Sequence, residues 1–270
     1  METTLNAVVT QKVELARGLA ILRVAPDGWP MPSFRPGQFA VLGLPASAAR
    51  HALADPDEEA TRDGLLLRRS YSIASSSMQN EYFEFYVSMV RSGALSPRLC
   101  ALSIGDRLWL GPKTSGLFTL DGVAAEANLV LIATGTGLAP YMSMLRSQLA
   151  HARTRRIAVL HGARHSFDLG YRAELVSMLG LCERLAYVPV VSRPDEEPVP
   201  WCGEVGYVQD LWRRRPLASR WGMAPTPADT HIFLCGNPTM VDDMLGILTG
   251  EGFREHSKRE PGQIHVERYW

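Results

Sequence analysis

The chain has 270 residues, 46% of them hydrophobic and 21% charged, with 28 basic side chains against 28 acidic ones. That length holds one large domain or two ordinary ones, and the apolar fraction supports a true core rather than a disordered chain. Zero net charge with dispersed cations argues against nucleic acid, whose binders carry a basic excess or stripe.

Four cysteines, Cys100, Cys182, Cys202 and Cys235, stand far apart and form no CxxC pair. Zinc and iron–sulfur sites need thiolates brought together by close spacing, so no metal is expected, and reduced thiols suit the pattern better than a disulfide framework. The opening METTLNAVVTQKVEL has neither a basic region nor an apolar one of the signal-peptide kind. No apolar stretch approaches the roughly 18 residues of a membrane span, so a cytoplasmic protein without a membrane partner is expected.

The first 120 residues or so read as strands and turns. LNAVVTQKVEL and GLAILRVA are strand-like, with a hairpin turn at Arg17–Gly18, and FRPGQFAVLGL supplies a Pro–Gly turn before an apolar strand ending at Leu44. RRSYSIA reads as a strand, YFEFYVSMV as an alternating aromatic strand, LSPRLCALSIG as a short helix, and GDRLWLGP as a last strand. Six short strands with Gly/Pro turns predict a small antiparallel barrel. Residues 46–64 are polar and Ala-rich, an exposed loop or helical insertion.

From about residue 127 apolar runs alternate with helical patterns. NLVLIAT, RRIAVLHGA, RLAYVPVVS and THIFLCG read as strands; YMSMLRSQLAHA, YRAELVSMLG, GYVQDLW and PTMVDDMLGILTGEG read as helices. This alternation predicts parallel βαβ units. A two-domain chain follows, a barrel over 1–122 and an α/β domain over 127–270. RPDEEPVP at 193–200 is a loop, and RRRP at 213–216 reads as a solvated helix end.

Three stretches carry chemistry. RRSYSIASSS places Arg69, Tyr71 and Ile73 on one side of a strand and Ser70, Ser72 and Ala74 on the other. That layout suits a ligand with a phosphate at one end and a flat ring at the other. GTGLAP sets Gly135, Gly137 and Pro140 between a buried strand and a helix, where glycines admit a pyrophosphate to the backbone. VVSRPDE ends a strand with Ser192–Arg193, and Arg164 ends its neighbour; ligands of open α/β sheets sit beyond such carboxyl ends. The two arginines can grip the 2′-phosphate that separates NADP from NAD, or stand simply as surface cations. Cys235 ends another strand and reads equally as a small buried hydrophobe or a ligand-facing thiol.

Arg69-Ser70-Tyr71-Ser72, FYVSMVRSGALSPRL, GTGLAP, Ser192–Arg193, CGNPTMVDDM and the terminal VERYW occur in an order that resembles bacterial ferredoxin–NADP reductases. The resemblance spans nearly the whole chain, leaving 46–64 and 213–227 without counterparts. It implies a Greek-key barrel holding FAD and an α/β domain holding NADPH, with the C-terminal tail returning to the flavin. It puts Arg69 on the flavin pyrophosphate with Ser70 beside it, Tyr71 against the isoalloxazine and Ser72 near its N5. Tyr86, Val87, Ala94, Leu95 and Ser96 then line the flavin site, with Ser115 a further candidate, and Trp270 stacks on the adenine.

The same resemblance assigns Gly135, Thr136, Gly137, Arg164, Ser192, Arg193, Gly236 and Asn237 to NADP. Thr136 also reaches the flavin, Cys235 lies near the nicotinamide, and Ser72, Tyr71 and Cys235 form the catalytic set. Hydride exchange with NADP(H) and single-electron exchange with a ferredoxin or flavodoxin follow, in a monomer. Arg50, Arg68, Arg91, Arg98 and Lys113 are the expected docking face for that acidic carrier. One departure matters. Where the family often carries an arginine, this chain has Gly203–Glu204, so Glu204 is expected to turn away from the phosphate and NADP preference to weaken. The rival readings are a reductase that supplies an oxygenase or another electron acceptor, and a non-catalytic NADPH sensor.

Overall fold

The computed structural model describes residues 4–56, 65–148 and 154–268. The chain divides into two packed units, Met1–Thr119 with Ala139–Ser147, and Leu120–Leu138 with Gln148–Trp270.

In the first unit, β1 (Ala7–Ala16) and β2 (Leu19–Pro26) form a hairpin whose turn uses Gly18 at φ +77°, a left-handed conformation natural to glycine. They join β3 (Phe39–Pro45), β4 (Leu66–Ser72), β5 (Phe83–Ser88) and β6 (Arg107–Leu110) in the order β4-β3-β6-β1-β2-β5, every pairing antiparallel. A single antiparallel bridge between Ile73 and Phe85 ties the end of β4 to β5, so the outer strands meet and the sheet curls as the predicted barrel does. Helix α1 (Ser96–Ala101) packs Leu99 and Cys100 onto Leu22, Val24, Leu42, Phe83 and Phe85.

β5 does not alternate. Phe83 through Val87 are all buried, including Glu84 at 2% exposure. The carboxylate tolerates burial because Arg23 meets it at 2.8 Å and Arg146, from helix α2 (Ala139–Gln148), at 2.7 Å. Arg146 also donates to the Ala74 carbonyl at 2.8 Å.

The second unit holds a parallel sheet in the order β10-β9-β8-β7-β11-β12. Its strands are β7 (Asn128–Thr134), β8 (Ile157–Ala163), β9 (Leu185–Val191), β10 (Glu204–Val205), β11 (Thr230–Cys235) and β12 (Ile264–Glu267). The central strands are buried along nearly their whole length, which is why they read as unbroken apolar runs. Helices α3 (Arg172–Leu179), α4 (Val208–Arg213), α5 (Pro216–Trp221) and α6 (Pro238–Gly250) complete it, and Trp212, Trp221, Met240 and Met244 fill the core with Val130, Ile132 and Leu160.

Residues 213–221 hold more than the expected helix end. Arg215 takes a left-handed φ of +55°, and α5 follows at once with Pro216 in its first turn. No described helix is long and apolar enough to cross a membrane.

Candidate functional site

Register gathers the barrel residues. Strand β4 lies on β3 with Tyr71 opposite Ala40 and Ser72 opposite Phe39, and Phe39 bridges Ser115 on its other side. Ser115 uses its backbone for that bridge, at 2.8 and 3.0 Å, which leaves its hydroxyl side exposed. The Ile73–Phe85 bridge runs Ser72 and Tyr71 alongside Tyr86 and Val87, both buried.

The expected two-faced layout of β4 holds only in part. Arg68, Arg69 and Ser70 are all exposed, Tyr71 is half-buried against the barrel core, and Ser72, Ile73 and Ala74 are all buried. The strand therefore changes along its length, from a wet cationic end to a dry one, rather than from face to face. The Arg69 guanidinium donates only to its neighbour's carbonyl, at 2.7 Å, and forms no ion pair among the described residues. Burial pushes the Tyr71 phenol far above its ordinary range, with the Cys100 thiol adding to the shift and Arg69 opposing it. The phenol stays protonated.

Residues 90–96 form a tight bend. Ser96 Oγ accepts from the Val90 N–H at 3.0 Å and Gly93 N–H donates to the Val90 carbonyl at 2.8 Å, with Ala94 half-buried and Leu95 and Ser96 buried. Lys12 closes the other end of α1 by donating to the carbonyls of Cys100, at 2.6 Å, and Leu102, at 2.9 Å. Arg98 does not belong to a docking face. It is 1% exposed and donates to the carbonyls of Ala94, four residues before it, and Ala46, 52 positions away, the second an acceptor that its local context does not reveal. Arg50 likewise anchors the loop carbonyls of Gly93, Asp55 and Arg91, and Arg91 pairs with Asp55 at 2.9 Å. Arg68, stacked on Trp109, and Lys113 remain exposed.

The second unit collects its candidates at the carboxyl ends of its strands. After β7 the chain enters a 3-10 turn, Gly135–Leu138, with Gly135 at φ +54° and Gly135 and Thr136 half-buried. A Cβ at Gly137 would stand 2.3 Å from the Cys235 carbonyl oxygen, and one at Gly236 (φ +137°) 2.3 Å from Thr134 Oγ1. The two turns are thus interlocked, and only glycine fits at either contact. Thr134 Oγ1 accepts from the Asn237 N–H at 2.8 Å, while the Asn237 side chain caps α6 through the N–H of Thr239.

Cys235 is fully buried, and its thiol approaches Glu267 Oε2 at 3.8 Å across the β11–β12 pairing. On the far side of β7, Ser192 N–H donates to the Ala163 carbonyl at 3.0 Å and Arg193 N–H to the Arg164 carbonyl at 2.9 Å, so both arginines stand together. Glu204 is engaged elsewhere: Arg214 approaches its carboxylate at 3.4 Å. Trp270 lies outside the described residues, as do 57–64 of the insertion.

Two groups escaped the sequence. One is the Glu84–Arg146 pair, separated by 62 positions. The other is His161, fully buried in β8 beneath the glycine turn. Its Nδ1 stands 3.3 Å from the Tyr187 hydroxyl, and its Nε2 meets no hydrogen-bond partner among the described residues. Burial lowers its pKa to about 4, against a weaker opposing effect of the Gly135 backbone, so it is neutral. A histidine inside an apolar strand run (IAVLHGA) was the available signal.

Comparison with known proteins gives the family and the fold. The oxidoreductase NAD-binding domain family matches residues 131–245. The chain is 30% identical over 245 residues to a ferredoxin–NADP reductase of Azotobacter vinelandii, spanning 87% of this chain and 86% of that one. It is 32% identical over 244 residues to the flavodoxin/ferredoxin–NADP reductase of Escherichia coli K12, spanning 89% and 90%. Its fold superposes with a TM-score of 0.81 on a ferredoxin NADP+ reductase from Neisseria gonorrhoeae solved with bound FAD and NADP, at 22% identity and 98% coverage of both chains. The chain belongs to the ferredoxin–NADP reductase family.

Proposed function

We propose that this chain is an FAD-dependent ferredoxin or flavodoxin–NADP reductase, a cytoplasmic monomer that binds flavin through 1–122 and NADP(H) through 127–270. The observation that carries the reading is β4: an exposed guanidinium with no ionic partner among the described residues, a ring on the barrel core and a buried hydroxyl within four consecutive residues, Arg69 to Ser72. That donor set fits a flavin nucleotide. Arg69 neutralises the pyrophosphate, Tyr71 covers an apolar ring face, and Ser72 offers a hydroxyl to a ring nitrogen that exchanges a proton. Because its phenol stays protonated, Tyr71 adds no charge beside the ring.

FAD, when bound, supplies the redox chemistry, accepting a hydride and releasing electrons singly to a small carrier. The rest is positioning by the chain. Backbone N–H groups of Gly135–Gly137 receive the NADP pyrophosphate, with Gly236 holding the turn from beneath. Arg164, Ser192 and Arg193 take the 2′-phosphate, Thr136 and the dry Cys235 end of β11 face the nicotinamide, and Trp270 covers the flavin adenine. Asn237 contributes its backbone alone, since its side chain caps α6. The carrier is an acidic protein. Raising ionic strength therefore slows its reduction and leaves that of a neutral dye unchanged; equal sensitivity of the two would contradict charge-guided docking.

Purified protein should be yellow, with FAD in stoichiometric amount, and Arg69→Ala should lose flavin during gel filtration. A colourless wild-type protein that cannot be loaded with FAD, yet binds NADPH, would make the chain a nucleotide sensor instead.

A further inference from the structure

The sheet end that carries Arg164, Ser192 and Arg193 is more acidic than a phosphate site requires. Arg193 Nη1 lies 3.4 Å from each carboxylate oxygen of Glu196. Glu196 is not free to swing aside, because His165 Nε2 meets its Oε2 at 3.0 Å. His165 is itself fixed: its Nδ1 lies 3.1 Å from Asp168 Oδ2, and its ring stacks on Phe167 with centroids 4.7 Å apart. Glu197 accepts from both the backbone N–H and the hydroxyl of Ser166, which ties the segment after β9 to the segment after β8. Arg164, by contrast, makes no side-chain hydrogen bond or ion pair with the described residues.

We propose that Glu196 is a built-in competitor for Arg193 and that it sets the preference between a dinucleotide with a 2′-phosphate and one without. This rests on the reading of Arg164, Ser192 and Arg193 as the end that meets the adenosine ribose. A 2′-phosphate brings up to two negative charges against a carboxylate that His165 holds in place, so Arg193 must either leave Glu196 or divide its donors between two anions. A 2′-hydroxyl meets no such opposition and can donate to a carboxylate, the contact that NAD-binding sheets use. Glu204 does not share the role, since it faces Arg214. The bond to His165 holds the Glu196 carboxyl below the usual carboxylate range, which keeps it an anion at neutral pH.

The test is KM for NADPH and for NADH, measured with a dye acceptor on FAD-loaded wild type, Glu196→Gln, Arg193→Ala and the double variant. Glu196→Gln should lower the NADPH KM by about three- to tenfold, the range for an exposed charge near a multiply charged partner, while the NADH KM moves by less than about twofold. In the Arg193→Ala background the gain should vanish. Equal shifts for both nucleotides, no shift for either, or a gain that survives loss of Arg193 would overturn the inference. Wild-type protein that reduces dye with neither nucleotide would instead overturn the reductase reading beneath it.

Discussion

The two sheets of this protein place their candidate ligand-binding residues in opposite ways. In the antiparallel sheet the candidate site is written along a strand: β4 leaves Arg69 and Ser70 in solvent and buries Ser72. In the parallel sheet the strands are dry on both faces, so chemistry is displaced to the strand ends, where glycines rather than side chains make the fit. The buried polar groups differ in the same sense. The first unit buries a carboxylate and neutralises it with two arginines, whereas the second buries histidines and keeps them neutral.

If that contrast is right, the largest effect belongs to the first unit. Glu84→Ala leaves Arg146 facing an empty buried site and should cost about 3–5 kcal/mol in denaturant unfolding; a cost under about 1 kcal/mol would show that the pair is not a structural element. Next comes the glycine lock of the second unit. Gly137→Ala forces a Cβ against the Cys235 carbonyl and should weaken NADPH binding by more than about tenfold while costing about 1–3 kcal/mol of stability.

Acid should then separate the two kinds of buried group. The unfolded chain protonates its histidines near pH 6.5, but folded His161 does so only at about pH 4 and His265 at about pH 3. Stability from these two is complete above pH 6.5 and falls below it, by about 1.4 kcal/mol per pH unit for each imidazole, until the folded values are reached. Thermal scans between about pH 7 and about pH 4.5 check the slope. His265→Phe, which can keep the stack on Phe233, should remove its share. The smallest effect is at Gly135, where a Cβ meets open space but φ is +54°: Ala there should cost only about 1 kcal/mol.

The same contrast explains what the residues revealed by themselves. Apolar runs such as NLVLIAT, punctuated by GTGLAP, announce a parallel sheet and the tight glycine turn at its carboxyl end, because both signals are local. RRSYS was legible as a strand for the same reason, but its burial runs along the strand and not from face to face as its alternation predicted. Arg98 was not: its burial depends on the Ala46 carbonyl, 52 positions away, so it read as a surface cation. Glu84 looked like the polar member of an alternating strand until Arg146 arrived from a helix far along the chain. Strand β12 is four residues behind a charged, proline-containing stretch, too short to stand out without β11 beside it. Glu196 was visible only as part of an acidic loop, and its meaning comes from His165 on a neighbouring strand end. Local chemistry could be read directly; pairing across the fold could not.

The central claim is that one unit holds a flavin and the other delivers a reduced nicotinamide to it. Anaerobic addition of NADPH to the purified, FAD-loaded protein, followed by visible absorbance, tests it most directly. The yellow band should bleach within the time of a catalytic turnover and return when a ferredoxin or flavodoxin is admitted. A band that persists in the presence of bound NADPH would contradict the account.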